Sequence, residues 1–194
     1  FAQDLPPALI KAAAQAENID IRHTDSNFFR AMSPHTTNAP TSLAIKGCMI
    51  PEEFAVEWMQ KASPTLETLV CKASSAGRGS STTPADHTFL LPTSTAPVLK
   101  HITLAGSNDP FASLPSTGDI RQIAKHCPNL SRLDIVNHCG TMPDLTGLST
   151  LANLTHLSLA HSIRRILDPC IEHIATLPIK HLDLSYCNFD THRP

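Results

Sequence analysis

One short apolar pattern recurs along the chain. In residues 129–140, "NLSRLDIVNHCG", Leu130, Leu133 and Ile135 follow the spacing L-x-x-L-x-I. Alternation of apolar and polar residues with a period of two predicts a strand that has one buried and one exposed face. The pattern recurs, closely or in weaker form, in six other stretches: 17–24, 41–48, 66–71, 99–104, 154–159 and 179–184. The chain therefore predicts seven short strands built from one repeating unit.

The intervals between these units identify the kind of repeat. We take the fourth position of each unit as its marker; the markers are Ile19, Leu43, Leu69, Ile102, Leu133, Leu157 and Leu182. Successive markers are 24, 26, 33, 31, 24 and 25 residues apart. Four of these six intervals lie in the range of about 20 to 29 residues that leucine-rich repeats show. One unit cannot bury its apolar face alone, so the units are expected to stack into a parallel sheet.

Several segments between the strands have helical periodicity. Pro is tolerated in the first turn of a helix, which allows Pro6 and Pro7 to open one through 8–16. The segment 51–62 begins with Pro and two Glu residues, whose charge suits a helix start. Apolar residues share one face in three segments: Phe54, Trp58 and Met59 in 51–62; Ile120, Ile123, Ala124 and Cys127 in 118–127; Cys170, Ile171, Ile174 and Leu177 in 168–177. The stretch 141–153 predicts a shorter helix or a 3-10 turn.

The predicted fold class is α/β, a leucine-rich-repeat solenoid. This is a right-handed α/β horseshoe of about seven repeats over residues 1–194, with the parallel sheet on its concave face. Because the chain begins with Phe1 rather than Met, we expect it to belong to a longer or processed protein. Residues 72–97 are rich in Gly, Ser, Thr and Pro, which predicts a flexible insertion.

Composition narrows the expected partners and location. Apolar residues make up 41% of the chain, charged residues 16%, and the formal net charge is −2. This balance favours neither nucleic acid nor an anionic membrane surface as a partner. No apolar run approaches the length of a transmembrane helix. The six Cys are spread out without a C-x-x-C pair, which favours reduced thiols in an intracellular protein.

The segment 120–139 resembles the Cys-containing leucine-rich repeat of F-box/LRR proteins. In that family a helix ends in I-A-x-x-C-P-x-L, and the strand follows as L-x-x-L-D-L-x-x-C. The matching residues are Ile123, Ala124, Cys127, Pro128, Leu130, Leu133, Asp134 and Ile135. The strand half matches again at 182–188, with Cys187, and at 43–48, with Cys48. Cys139 departs from the pattern by coming one residue late, and Cys71 by standing at an inward strand position.

The resemblance implies a protein–protein interaction module, the substrate-recognition arm of an F-box ubiquitin ligase. An adaptor of the ligase would then bind through sequence outside this chain, which shows no F-box-like helical segment. Two alternatives stay open: a secreted leucine-rich-repeat receptor domain that binds a ligand, and a repeat scaffold or regulator unrelated to ubiquitin. The secreted alternative is motivated by N-x-S/T sequences at Asn129 and Asn153, although the repeat itself places Asn before its first Leu.

Partners of such repeats are expected on the concave sheet. The outward positions form a basic row in the first three units and a row of histidines beside carboxylates in the later ones. The candidate partner-binding residues are Arg22, Lys46, Lys72, His101, Arg132, Asp134, His156, His181, Asp183 and Tyr186. The alternative is a solvated face without a dedicated ligand, since outward strand positions are polar by default.

The sequence predicts no enzyme, no cofactor and no metal site. None of the common hydrolase or metalloprotease motifs is present. His126 and Cys127 would be adjacent on a helix, where neighbouring side chains do not face each other. His156 and His181 would sit on neighbouring strands but lack a third metal ligand of a suitable kind.

Overall fold

The computed structural model describes residues 6–22, 26–35, 39–48, 52–72, 95–106, 117–136, 144–161 and 168–187. Seven strands occur in these ranges: β1 Asn18–Arg22, β2 Ser42–Lys46, β3 Thr68–Lys72, β4 His101–Ala105, β5 Arg132–Val136, β6 His156–Ser158 and β7 His181–Asp183. The α-helices are α1 Pro7–Ala14, α2 Ser26–Met32, α3 Glu52–Ala62, α4 Thr117–His126 and α5 Asp168–Thr176. Short 3-10 helices cover Ser33–His35 and Thr146–Thr150. Each of the seven stretches with the apolar pattern is thus a strand.

The seven strands form one parallel sheet in the order in which they follow along the chain. Every marker pairs with the marker of the next strand, giving the series Ile19, Leu43, Leu69, Ile102, Leu133, Leu157 and Leu182. The structure confirms the predicted α/β class and the predicted parallel sheet of seven strands. The architecture is solenoid-like, because each strand pairs only with its neighbours in sequence.

The same backbone junction joins each strand to the next. Two residues before every marker but the last, a carbonyl oxygen accepts two N–H groups from the following unit. At the first junction, Glu17 O accepts from Thr41 N at 2.8 Å and from Ser42 N at 3.1 Å. Across all six junctions these distances lie between 2.8 and 3.1 Å. The units are therefore equivalent in their backbone geometry as well as in their sequence pattern.

The core lies on one side of the sheet, between the strands and the helices. Six of the seven marker side chains are buried, together with most of the apolar residues two positions later. They join one cluster with helix residues such as Trp58, Met59, Ile120 and Ile123. These four residues belong to the buried faces predicted for 51–62 and 118–127, and they are buried as expected. The side chain of Phe54, also predicted on such a face, lies outside the part of the chain that the structure describes.

The last unit departs from the prediction. Ile171 of α5, which the helical pattern places on a buried face, is 40% exposed, and the marker Leu182 is 45% exposed. Ile174 and Leu177 are buried as predicted. Within the described residues α5 and β7 have a neighbouring unit on one side only, so an apolar residue on the other side has nothing to pack against.

Helix α2 and the 3-10 helix after it are not predicted by the sequence pattern. Phe29 and Met32 of α2 are fully buried, and Phe28 meets Phe29 edge to face with 5.6 Å between ring centroids. The helix has only seven residues, which is too short for a clear periodic pattern.

The predicted flexible insertion, residues 72–97, is described only at its two ends. Lys72 is the last residue of β3, and Ala96 is buried and donates its N–H to His126 O at 2.7 Å. Residues 73–94 lie outside the described ranges.

Candidate functional site

The side of the sheet opposite the helices carries the polar strand residues, and we call it the open face. It comprises the positions one before and one after each marker, which form two rows across all seven strands, and the position three after each marker, which forms a third row from β1 to β5. The row before the markers is Asn18, Ser42, Thr68, His101, Arg132, His156 and His181. Neighbouring members of a row lie one strand spacing apart, about 4.8 Å. Nine of the ten predicted site residues lie on this face.

The first three strands present a cluster of exposed ion pairs, which we call the N-terminal cluster. Arg22 binds the Asp20 carboxylate through Nε at 3.1 Å and through its terminal nitrogen at 2.6 Å. Lys46 Nζ reaches the same carboxylate at 3.1 Å, and Lys72 is next in the row. The hydrogen bond from Arg22, with help from Lys46 and against the effect of burial, lowers the pKa of Asp20 to about 2. The Asp20 carboxylate is thus ionised at neutral pH.

Asp134 is the centre of a second, more buried cluster on β4 and β5. Its side chain is only 10% exposed and accepts hydrogen bonds from Arg132 Nε at 3.0 Å and Thr103 Oγ1 at 3.2 Å. The third contact joins Asp134 Oδ2 to His101 Nε2 at 3.0 Å. Burial alone would raise the pKa of Asp134, but the bonds and charges of His101 and Arg132 lower it overall. The carboxylate therefore stays ionised and holds these side chains in place.

His156 and His181 stack against each other on β6 and β7. Their ring centroids are 4.2 Å apart and the planes differ by 15°. His156 Nδ1 lies 2.9 Å from Thr155 Oγ1, so this nitrogen is engaged. Partial desolvation, followed by the positive charges of His181, Arg132 and Lys180, lowers the pKa of His156, against a raising effect of Asp134.

These residues line an open groove across β5, β6 and β7, which we call the C-terminal groove. Its volume is about 440 Å³. The lining residues are Arg132, Asp134, His156, Leu157, Ser158, Lys180, His181, Leu182 and Asp183. The Asp183 carboxylate accepts from Ser158 Oγ at 3.3 Å and from Ser185 N at 2.9 Å. The hydrogen bonds from Ser185 and Ser158 outweigh burial, and the pKa of Asp183 is lowered.

An aromatic pair lies where β6 and β7 end, and its His161 ring is near enough to influence the groove residue Asp183. His161 and Tyr186, each four residues after a marker, stack with centroids 4.4 Å apart and planes 14° from parallel. Both have left-handed backbone angles, with φ of 58° and 59°. Gly47 occupies the same position after β2 with a φ of 65°. This turn favours glycine, yet the last two units carry large side chains there, and Tyr186 is 78% exposed.

The cysteines occupy structural positions. Cys48 and Cys187 both stand five residues after a marker. Each donates its thiol to a backbone carbonyl of the preceding unit: Cys48 Sγ lies 3.5 Å from Ile21 O, and Cys187 Sγ lies 2.9 Å from Leu159 O. Burial raises the pKa of Cys127 to about 12, which disfavours the nucleophilic thiolate. Cys139 lies outside the described residues.

Both sequon asparagines take part in the stacking of units. Asn129 Nδ2 donates to Pro97 O at 2.8 Å, and Asn153 Nδ2 donates to Asn129 Oδ1 at 3.2 Å. The hydroxyls of the same motifs donate to backbone carbonyls, from Ser131 to Lys100 and from Thr155 to Ser131. The repeat therefore has a structural use for each polar residue of the two sequons.

Five side chains of this surface are absent from the predicted site residues: Asp20, Thr103, Ser158, His161 and Lys180. Asp20, Thr103 and Ser158 lie in the row after the markers, so counting from the markers finds them. Lys180 lies outside the three rows and reaches the groove from the residue before β7. His161 stands at the position that Gly47 occupies after β2. A glycine at that position of one unit indicates a left-handed turn there in the other units.

Comparison of the sequence with known families and curated proteins identifies no relative of this chain. A scan against protein-family models finds no match, and a search of curated proteins finds none either. Within the described ranges, no three His, Cys, Asp or Glu side chains come together in a way that could hold a metal ion. None of the helices described there has the length and hydropathy to cross a bilayer.

Proposed function

We propose that this chain is a leucine-rich-repeat module that binds another protein on the open face. The observation that carries the proposal is the common register of the seven markers, which aligns the residues before and after them, most of them polar, into rows on a face that no described helix covers. Repeats of this kind use an extended sheet surface for recognition. On the proposed horseshoe this would be the concave side.

We further propose that the module is the substrate-recognition arm of an intracellular F-box ubiquitin ligase. Its support is the similarity of residues 120–135 to the Cys-containing repeat and the equivalent bonds of Cys48 and Cys187. The described cysteines are thiols rather than disulfides, which suits a reducing compartment. In this role the chain itself carries out no catalysis and needs no cofactor; an adaptor would bind elsewhere in the protein.

Affinity purification of the full-length protein from its own cells, with bound proteins identified by mass spectrometry, tests both levels of the proposal. The parent is compared with a triple variant that truncates three side chains lining the groove, R132A/H156A/H181A. A matched control, K11A/K61A/K125A, removes three exposed cations from helices α1, α3 and α4. The expected result is one partner that is lost with the groove variant and retained with the control.

Each outcome has a defined meaning. Co-purification of a cullin and its adaptor with all three forms supports the ligase role, because their binding should not involve the open face. Loss of a partner without any ligase component supports a binding scaffold and rejects the ligase. If the groove variant binds the same proteins as the parent, the C-terminal part of the open face is not the binding surface.

A further inference from the structure

We infer that the C-terminal groove binds an acidic peptide segment of a protein partner, and binds it more tightly as the pH falls through the range where histidine titrates. This inference rests on the proposed function. It specifies the kind of partner segment that binds and makes its affinity depend on pH. It draws on the groove's charges, its stacked histidines, its dimensions and the aromatic pair beside it.

The donors left for a ligand in the groove belong to its cations. Arg132 uses Nε for Asp134, and its side chain is 51% exposed. Lys180 is exposed and lines the groove. The carboxylates of Asp134 and Asp183 already accept two or more hydrogen bonds each from neighbouring residues of this chain. A partner therefore meets positive donors with unused N–H groups, whereas the Asp134 carboxylate is largely buried and already bonded.

The histidine pair links binding of an anion to binding of protons. Two stacked rings with centroids 4.2 Å apart repel each other when both are protonated, and Arg132 and Lys180 add to that repulsion. An anion between the rings and these cations offsets the repulsion, so it favours the protonated pair. By thermodynamic reciprocity, protonation then favours the anion to the same degree.

Other charged groups around the pair do not cancel this effect. Asp134 faces His156 from β5, but it is held by Arg132 and His101. Asp183 lies on β7 and is influenced by the charge of His161. At neutral pH the two permanent cations of the groove, Arg132 and Lys180, balance these two carboxylates. Protonation of the histidines leaves an excess of positive charge, and this excess attracts an acidic ligand.

The dimensions suit a peptide better than a small ion. Arg132, His156 and His181 are successive members of one row and span about 10 Å. In an extended peptide, side chains on one side are about 6.7 Å apart, so two or three acidic residues of one segment reach all three. The volume of about 440 Å³ is in the range of ligand pockets. The exposed ring of Tyr186 offers apolar contact to the rest of the segment.

The test measures binding of a fluorescein-labelled octaglutamate peptide to the full-length protein by fluorescence anisotropy, with octaglutamine as the uncharged probe. Measurements at about pH 6 and about pH 7.5, at one ionic strength, should give a Kd about fivefold or more lower at the acidic pH. In H156Q/H181Q the ratio should fall below about twofold, since both titrating rings are gone. H35Q/H126Q, which alters two histidines on helical segments away from the groove, should keep the parent's ratio.

Three results would overturn the inference: equal binding of the two probes, equal affinity at both pH values, or an unchanged ratio in H156Q/H181Q. If that variant does not fold, as judged by its Tm, NMR titration of the parent replaces it. Octaglutamate should then raise the pKa of His156, and an unchanged value would contradict the inference. Failure of the peptide to bind, with a partner still lost by the triple groove variant, removes the acidic ligand but leaves the interaction module standing. If no partner is lost either, both fall.

Discussion

The two ends of the open face hold charge in different ways. In the N-terminal cluster, Asp20 and Arg22 are well exposed, with side-chain exposures of 41% and 62%. In the C-terminal groove, the Asp134 carboxylate is 10% exposed and accepts from three side chains. Exposed ion pairs contribute little to stability, whereas a buried, hydrogen-bonded carboxylate orders the donors around it. The first region therefore supplies constant charge, and the second supplies fixed geometry together with a charge that depends on pH.

The largest expected effect separates the two carboxylates. Asp134→Asn should lower the free energy of unfolding by about 2 kcal/mol, because Arg132 and His101 lose a charged acceptor in a mostly buried place. The matched change Asp20→Asn should cost less than about 1 kcal/mol, since water replaces the lost contacts. Urea unfolding with an unchanged m-value measures both. Equal losses would mean that the clusters do not differ in the way described.

A smaller effect distinguishes the turns after the strands. Gly47→Ala should lower the free energy of unfolding by about 1 kcal/mol, because alanine at a φ of 65° is strained. His161→Gly should change it by less than about 0.5 kcal/mol, since relief of the same strain offsets glycine's entropy and the lost stack. If His161→Gly lowers the free energy of unfolding by about 2 kcal/mol or more, the aromatic pair stabilises the fold and is not only a surface feature.

The smallest effect is the pH dependence of stability. The folded pKa of His156 lies below the ordinary histidine value of 6.5, so the unfolded chain takes up this proton more readily. Its contribution to stability is present above that value and decreases as the pH falls below it. Tm should therefore fall less between about pH 7.5 and about pH 5.5 in His156→Gln than in the parent.

The N-terminal cluster should respond in a separate, more acidic range. The folded pKa of Asp20 is about 2 against an ordinary value of 3.8. The stabilisation from this carboxylate is therefore complete above about 3.8 and is lost as the pH falls towards about 2. Asp20→Asn should flatten the Tm profile in this acidic range only. An effect of that variant near neutral pH would contradict the separation of the two regions.

The sheet could be predicted from the sequence because its signal repeats. Seven copies of one pattern fix the strands, and the spacing of the markers fixes which residues pair. Helix α2 could not be predicted in the same way, since a buried pair such as Phe29 and Met32 in seven residues gives no lasting period. Ile171 follows the helical pattern yet is exposed, because burial also requires a neighbour that the pattern does not contain.

The open face was predictable by position but not by contact. Counting from the markers is enough to place Arg132, Asp134, His156 and His181 near one another. That Asp134 binds His101 and Arg132 while the other histidines stack depends on side-chain rotamers, which periodicity does not encode. Tyr186 was predicted by position, but its stacking on His161 was not, since that contact is set by a left-handed turn rather than by the strand.

The junctions between strands do not depend on how many residues separate them. Leu69 pairs with Ile102 across 33 residues and Leu43 with Leu69 across 26, yet the junction oxygens accept at 2.8 to 3.1 Å in both cases. Descendants of such a gene can therefore gain or lose segments between strands without shifting the surface that meets a partner. For the same reason, the long connection between β3 and β4 is a natural place to insert a reporter domain or an epitope.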